Sequence, residues 1–593
     1  MPPTDQTGSP PGQLIDEIDY TVGQDNIERK LGPIPIDIHN PVFLIAGLVI
    51  FVFVIGTLIA PGPATGLFEA MKSFVTTYFS WFFILGGNIF VAFCLLLIVT
   101  PLGNVRLGGE GARPDYGYLG WFAMLFAAGM GIGLMFYGVS EPLTHFGTSF
   151  AEGAGEPGSW APLNGAVGDA EAARELGMAA TIYHWGLHPW AMYAVVALAL
   201  ALFSYNKGLP LSIRSAFYPI FGDAVWGWVG HMIDVVAVLA TIFGLATSLG
   251  FGAEQATAGF DFLFGSGDAE ANARSVFGFA YGNPLLGTDG NPLLDPEGNV
   301  AGRDGVMFKV ALIVIITAIA LVSVMRGLDG GVKIASEINM FLAFLLLMFV
   351  LFVGPTGETI SNFFASLWAY GKNFGALSQP FGREDANFSQ GWTAFYWAWW
   401  ISWSPFVGMF IARVSRGRTV REFMICVLLI PSLVCVLWMS VFGGTAISQF
   451  VNDGFEGAAN AGLSVQLFEV LSQLPLAQIT SLIGIVLVIV FFVTSSDSGS
   501  LVIDTITAGG KTDGPMPQRV FWCVFEGLVA IALLLGGGLA ALQAMAVTMG
   551  FPFAALLLLM CVAIFMGLRS ERKIMKEHRA NAKTNGHVAN PAE

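Results

Sequence analysis

Residues 392–418 read WTAFYWAWWISWSPFVGMFIARVSRGR, and this stretch decides what kind of protein the chain is. A run of about 20 apolar residues, at 1.5 Å rise each, is what a helix needs to cross a bilayer. Five tryptophans lie in it, Trp392, Trp397, Trp399, Trp400 and Trp403. Membrane tryptophans gather at the interface, which suits Trp392. Trp400 and Trp403 fall roughly 12 to 16 Å below the outer end at the helical rise, near the bilayer centre. An indole at that depth needs a partner for its N–H, or a cavity. Pro405 has no N–H to give and is expected to interrupt the helix beyond its midpoint.

Apolar runs recur on both sides of this stretch, near 43–60, 80–100, 119–139, 178–203, 231–252, 308–325, 334–354, 392–412, 423–446, 477–500, 520–538 and 543–567. The expected fold class is an all-α polytopic membrane protein with twelve transmembrane helices. Composition agrees: of 593 residues, 55% are hydrophobic and 12% charged, where soluble domains carry about 25% charge. The net charge of −15 speaks against a basic nucleic-acid surface. Cys94, Cys426, Cys435, Cys523 and Cys561 all sit in apolar runs without metal-ligand or paired spacing, so they read as reduced core residues.

An even number of spans puts both termini on one side. Loops on that side hold about twelve Lys and Arg, including Arg413, Arg416, Arg418 and Arg421, against about six opposite. Both termini are therefore expected in the cytoplasm, with the chain in a bacterial-type inner membrane. The organisation expected is an acidic tail over 1–40, mobile and without a cleavable signal segment, a membrane domain over 41–567, and a short basic tail over 568–593. Loops 141–177 and 253–307 should lie outside, and 359–375 (TISNFFASLWAYGKNFG) reads as an amphipathic helix along the outer surface.

Span 3, LGWFAMLFAAGMGIGLMFYGVSEP, crowds Gly129, Gly131 and Gly133 into its middle. Each weakens a helix by up to about 1 kcal/mol relative to Ala, so the backbone there can open. Small residues at this spacing also serve close helix packing. Span 8, with Pro405, begins five helices later and runs in the opposite sense. Many secondary transporters consist of two five-helix repeats of inverted topology, each opening with a broken helix that lines a midplane site. Spans 3–7 and 8–12 fit that plan, after two extra helices, with a site between spans 3 and 8.

Span 4 contributes TIYHWGLHPWAMYAVV, where at 100° per residue Trp185, Trp190 and Tyr193 fall within about 140° of one face. Two helices thus offer electron-rich rings at midplane depth. Such rings suit a cation that cannot donate hydrogen bonds, such as a trimethylammonium or dimethylsulfonium, at about 0.5 to 2 kcal/mol per desolvated ring. Opened backbone at Gly129 to Gly133 offers N–H groups to a carboxylate on the same solute. Spans 3 and 4 place no Lys, Arg, Asp or Glu at the midplane, which implies a ligand of zero net charge. Span 10 ends VIVFFVTSSDSGSLVID, whose Thr494, Ser495, Ser496 and Ser498 can ligate a small hard cation or bond their own helix. Thr247 and Ser248 in span 5 offer a second hydroxyl pair. Asp497 reads as structural or gating at the span terminus, and His184 and His188, with no acidic or cysteine partner in sight, receive no role.

GMGIGLMFYGVSEP (129–142), HWGLHPWAMYA (184–194) and WTAFYWAWWISWSPFVGMFIARVSRGRT (392–419) resemble signatures of the betaine/carnitine/choline transporter family, over about residues 40 to 567. The resemblance implies a fold similar to the LeuT-type sodium symporters and a homotrimer held partly by the outer amphipathic helix. It implies a substrate box of Trp185, Trp190, Tyr193 and Trp400, with Trp399 and Trp403 lining the route to the cytoplasm. One sodium site would combine Ala127 and Met130, with Phe491, and the hydroxyls of Thr494 and Ser495. A second would lie near Thr247, Ser248 and Phe406. Choline carriers tend to carry Asp where this chain has Gly133, which favours a zwitterion. Sodium-independent exchangers fill ion sites with Arg and Met, and span 5 lacks Arg and Lys. The expected activity is therefore sodium-driven import of glycine betaine or a close analogue, with a dimethylsulfoniopropionate, ectoine, carnitine or choline carrier, proton-coupled or an exchanger, as the alternative. A membrane enzyme or receptor is disfavoured, since no nucleotide loop, nucleophile cluster or sizeable soluble domain stands in the sequence.

Overall fold

Each of the twelve apolar runs falls on helix, because backbone in hydrocarbon must satisfy its own N–H and C=O groups. The computed structural model describes residues 20–129, 131–151, 163–265, 274–276, 279–281, 306–326 and 333–588. In chain order the long helices are α1 (Val42–Ile59), α2 (Pro61–Val99), α3 (Tyr118–Gly129), α4 (Ile132–Phe150), α5 (Ala170–Trp185), α6 (Leu187–Ala201), α7 (Trp228–Phe264), α8 (Val306–Arg326), α9 (Lys333–Val353), α10 (Thr356–Ser378), α11 (Ala394–Val414), α12 (Val420–Asp453), α13 (Ala477–Thr507), α14 (Met516–Leu535) and α15 (Gly538–Val588).

Ten stretches among the described residues are long and apolar enough to cross a membrane. The two predicted spans missing from that set are span 3, cut into α3 and α4, and α11, whose apolar character is diluted by Trp, Tyr and Ser. Outward faces are apolar: Leu48, Val52 and Ile59 on α1 are 63%, 60% and 78% exposed, as a lipid-facing surface requires. The protein is a polytopic all-α membrane protein.

Helix boundaries depart from the sequence expectation in ways that reposition several residues. Span 4 is not one helix, since α5 ends at Trp185 and α6 begins after Gly186. Pro405 does not interrupt α11, which runs unbroken through it. The carbonyl of Ile401, which would have bonded the missing N–H, instead accepts the Ser404 hydroxyl at 2.6 Å. Span 10 continues to Thr507, so Asp497 lies well inside α13 rather than at its end. The expected outer loops shrink because α4 runs to Phe150, α5 starts at Ala170 and α7 reaches Phe264. The near-repeat of the second loop lies almost wholly outside the described residues.

Both expected tails carry regular structure where they are described. Residues Asn26–Leu31 and Ile34–His39 form an antiparallel hairpin, β1–β2, docked on the membrane domain. Lys511 donates to Glu28 at 2.6 Å and Asp37 at 2.7 Å, and Gln518 accepts from the Asp37 N–H at 2.6 Å. His39 Nε2 accepts from Arg214 at 2.8 Å. Burial, then the Arg214 charge, pushes the His39 imidazole down to about 3, so it stays neutral and able to accept. At the other end α15 continues to Val588, and its Glu571 pairs with Lys207 and accepts from Asn206 at 2.9 Å.

The basic stretch after α11 has local duties besides its charge. Thr419 and Glu422 form a capping box on α12, and Arg421 donates to the carbonyls of Ile98 and Thr100 at 2.7 and 3.0 Å, closing the C-terminus of α2. The amphipathic segment is helix α10, longer at both ends than expected, with Ile360, Phe364 and Trp368 aligned on one exposed face. Around the centre, α11 packs on α6, α7 and α15, and α4 on α5 and α12.

Candidate substrate site

The break between α3 and α4 places Gly131 in extended backbone at the head of α4. The first turn of α4 then has N–H groups with no intrahelical acceptor, and Gly131, Ile132, Gly133 and Leu134 line a cavity with them. Its other walls include Trp185 from the end of α5, Trp190 and Tyr193 from α6, Ser248 from α7, and Trp399, Trp400 and Trp403 from α11. The space is about 50 Å³, several times the roughly 10–15 Å³ needed to admit one water molecule. Gly129 ends α3 just before the break.

Ring contacts join the helices edge to face and also pair rings within one helix. Trp185 meets Trp400 at 4.8 Å between centroids, Trp190 meets Tyr193 at 5.3 Å, and Tyr193 meets Trp400 at 6.2 Å. Trp399 and Trp400 stack at 4.7 Å. The helical-face expectation for Trp185 with Trp190 and Tyr193 assumed a continuous helix; they converge although the chain turns at Gly186 between them. Gly133 is required by close approach, because a Cβ there would stand 2.8 Å from Trp399 and 3.0 Å from Trp185.

Each of four indole N–H groups is anchored. Trp399 donates to Ser248 Oγ at 3.1 Å, Trp400 to the His184 carbonyl at 3.0 Å, Trp403 to the Gly244 carbonyl at 2.8 Å, and Trp185 to Glu141 Oε2 at 2.6 Å. Buried donors held this way fix the rings as walls rather than as mobile gates.

Glu141 corrects two expectations from the sequence. It is a fully buried acid on α4 bonded to the Trp185 indole, whereas the sequence suggested no acid near the rings. It is also the partner that His184 lacked: His184 Nδ1 donates to Glu141 Oε1 at 2.6 Å, and His145 Nε2 lies 3.3 Å from the same oxygen. Tyr396 donates its hydroxyl to Oε2. The three ligand-type atoms lie within 4.8 Å of one another. Two ligands of a tetrahedral zinc stand about 3.3 Å apart at ordinary bond lengths, so the 2.6 Å separation is a direct hydrogen bond, not a metal's share. A signal was present, since Glu141 and His145 are spaced i, i+4 on what becomes one helix face.

The expected ion-site residues behave differently. Thr494 Oγ1 bonds Val490 and Phe491 carbonyls of its own helix at 3.0 and 3.3 Å. Ser495 is half-buried, and Ala127 sits in the last turn of α3; Met130 lies outside the described residues. Helix α3 rests on α11 and α12, and α13 rests on α7, α8, α9 and α14 and also touches α4 and α11. Thr247 bonds the Phe243 and Leu542 carbonyls at 2.8 and 2.9 Å, Ser248 holds Trp399, and Phe406 packs on Trp403 at 5.2 Å. Asp497 accepts from Ser323 of α8 at 2.7 Å, and its neighbour Ser496 donates to Glu526 of α14 at 2.8 Å, a cross-link between helices.

Comparison with known proteins follows the same lines. Residues 41–277 and 298–573 match the family model described as BCCT, betaine/carnitine/choline family transporter. The chain is 59% identical over 561 residues to a glycine betaine/proline/choline transporter of Vibrio parahaemolyticus, covering 94% of this chain and 95% of that one. It is 51% identical to glycine betaine transporter 1 of the same organism, over 94% of this chain and 98% of that one. Against the glycine betaine transporter OpuD of Bacillus subtilis it is 38% identical, over 91% of this chain and 96% of that one. A broken helix facing a cage of anchored rings, in a chain matched almost end to end, makes this protein a member of the betaine/carnitine/choline transporter family.

Proposed function

We propose that this protein imports glycine betaine, or a close quaternary ammonium or sulfonium zwitterion, by sodium symport. The observation that carries this reading is the cavity itself, lined by the head of α4 on one side and by indole and phenol rings on the other. A zwitterion matches both walls, its carboxylate at the helix N-terminus and its onium head against the rings. No side-chain carboxylate lines the cavity, Gly133 standing where a charge would favour a cation without its own carboxylate. The relatives' names include glycine betaine in each case, and proline and choline in one.

Sodium coupling draws on the hydroxyls of Thr494, Ser495, Thr247 and Ser248 with backbone carbonyls near Ala127, Met130, Phe491 and Phe406. In this structure Thr494 bonds carbonyls of its own helix, Thr247 also bonds the Leu542 carbonyl of α15 and Ser248 holds the Trp399 N–H, and ion binding would draw these oxygens to the ion instead. The architecture proposed is twelve spans with two inverted five-helix repeats after two extra helices, both termini cytoplasmic, in the inner membrane of a bacterium. The apolar face of α10 suits a homotrimer contact.

Uptake of labelled glycine betaine by purified protein in liposomes, with and without an inward sodium gradient, tests the reading. Accumulation only with the gradient is expected; exchange that ignores sodium would overturn the symport. A competition series with the sulfonium analogue, ectoine, choline, carnitine and proline ranks the solutes.

A further inference from the structure

We propose that Glu141 is a positioning residue for the onium cargo, its buried carboxylate bonded to the Trp185 indole supplying the fixed negative charge that makes this ring the strongest cation-binding wall of the cavity. The inference rests on the onium reading of the cavity given above.

Burying a carboxylate is costly unless donors replace its water. Here four do: Trp185 and Tyr396 on one oxygen, His184 and His145 on the other. None of these partners is Lys or Arg, so the charge is solvated rather than cancelled. The imidazoles need carry no charge to play this part, since His184 Nε2 can accept the Thr393 hydroxyl 3.0 Å away while its other nitrogen donates. A scaffold that needed only a hydrogen-bond acceptor for Trp185 could use a carbonyl or hydroxyl, and that is what the other rings use. Trp399 donates to a serine, Trp400 and Trp403 to backbone carbonyls.

Only the Trp185 ring among these four is backed by a charged acceptor. An N–H given to a carboxylate pushes electron density into the ring, because hydrogen bonds polarise their donors, most of all at low dielectric. Cation–π attraction is electrostatic and follows the negative charge on the ring face. The carboxylate adds its own field through the ring, and in a dry site that field is weakly screened. Geometry holds the ring still between two stops, with its N–H on Glu141 and its far edge against Gly133, where a Cβ would stand 3.0 Å from it.

The test separates charge from shape. Glycine betaine and tert-butylacetate have the same outline, but carbon replaces the cationic nitrogen in the second. Binding of both is measured on the purified full-length protein in lipid nanodiscs. In Glu141→Gln, which keeps size and an acceptor but removes the charge, glycine betaine affinity is expected to fall about tenfold, within the range of one strong cation–π contact, with tert-butylacetate affinity unchanged or raised. Equal losses for both would show that Glu141 only props the site, and would overturn the proposal. Should Glu141→Gln fail to fold, Trp185→Phe and Trp190→Phe give a second measurement. Each leaves a phenyl ring, but only the first cuts the link to the carboxylate, so the preference for glycine betaine over its carbon isostere should fall several-fold further in Trp185→Phe. Equal falls overturn the proposal. Wild-type protein that binds neither compound would instead sink the onium reading of the cavity.

Discussion

The ring cavity and the hydroxyl clusters were both expected to form binding sites, and in this structure the two sets of side chains are held in different ways. Trp185, Trp190, Tyr193, Trp399, Trp400 and Trp403 come from three helices and meet around one space, while Thr494 and Thr247 are each bonded to a carbonyl within their own helix. The difference is one of chemistry. Large rings bury their area only by packing across helices, so any folded state brings them together. A hydroxyl satisfies itself by bonding the preceding turn, and leaves that bond only for a better partner, such as an ion with several oxygens around it.

The largest expected effect tests whether the ring cage depends on close approach. Gly133→Val puts a branched side chain where even a Cβ would lie 2.8 Å from Trp399. Overpacking of this kind costs typically about 1–3 kcal/mol, so a lower unfolding temperature and no measurable glycine betaine binding are expected. Normal binding would mean that the rings can yield, and that the cavity is softer than its hydrogen bonds suggest. Next comes Trp400→Leu, which removes one ring and its bond to the His184 carbonyl but keeps apolar bulk. A loss of about 1 to 2 kcal/mol in glycine betaine binding is expected, read by calorimetry; unchanged affinity would reduce the ring to packing.

Thr494→Ala with Ser495→Ala addresses the other side. Among the described residues the Thr494 hydroxyl bonds carbonyls of its own helix, and Ser495 is half-buried, so the pair should fold normally. If they ligate the coupling ion, the sodium concentration for half-maximal uptake should rise several-fold, as expected when oxygen ligands are lost, with little change in maximal rate. An unchanged sodium dependence would place the ion elsewhere and leave the hydroxyls as helix bonds.

The same contrast explains what was legible in the sequence. Rings at midplane depth on 178–203 and 392–412 were visible as side chains too polar and too deep for lipid, and the glycines of span 3 announced the break that Gly131 makes. Glu141 was missed because an acid beside Pro142 looks like the end of a span, whereas α4 runs eight residues beyond Pro142 to Phe150. Its four donors, arriving from α4, α5 and α11, have no pattern along the chain. Pro405 misled for a local reason, since the neighbouring Ser404 hydroxyl repairs the bond that proline removes. The polar composition of residues 20–40 concealed a docked hairpin, because its partners Lys511 and Gln518 lie nearly five hundred residues away.

Ser248 belongs to both halves of the comparison and gives its finest test. As an ion ligand it would be paired with Thr247; as built it takes the Trp399 N–H at 3.1 Å and lines the ring cavity. Ser248→Ala leaves the buried indole N–H without an acceptor, a cost of about 1 kcal/mol or somewhat more. If holding Trp399 is its role, the effect appears as weaker glycine betaine binding of up to about tenfold, by the same energy, at every sodium concentration. If instead it ligates sodium, affinity at saturating sodium is restored and only the sodium dependence shifts. Ser248→Cys sharpens the distinction, since sulfur still accepts weakly from an N–H but is a poor ligand for a hard ion. Recovery of binding in the Cys variant relative to the Ala variant, with sodium dependence unmoved, assigns the hydroxyl to the ring.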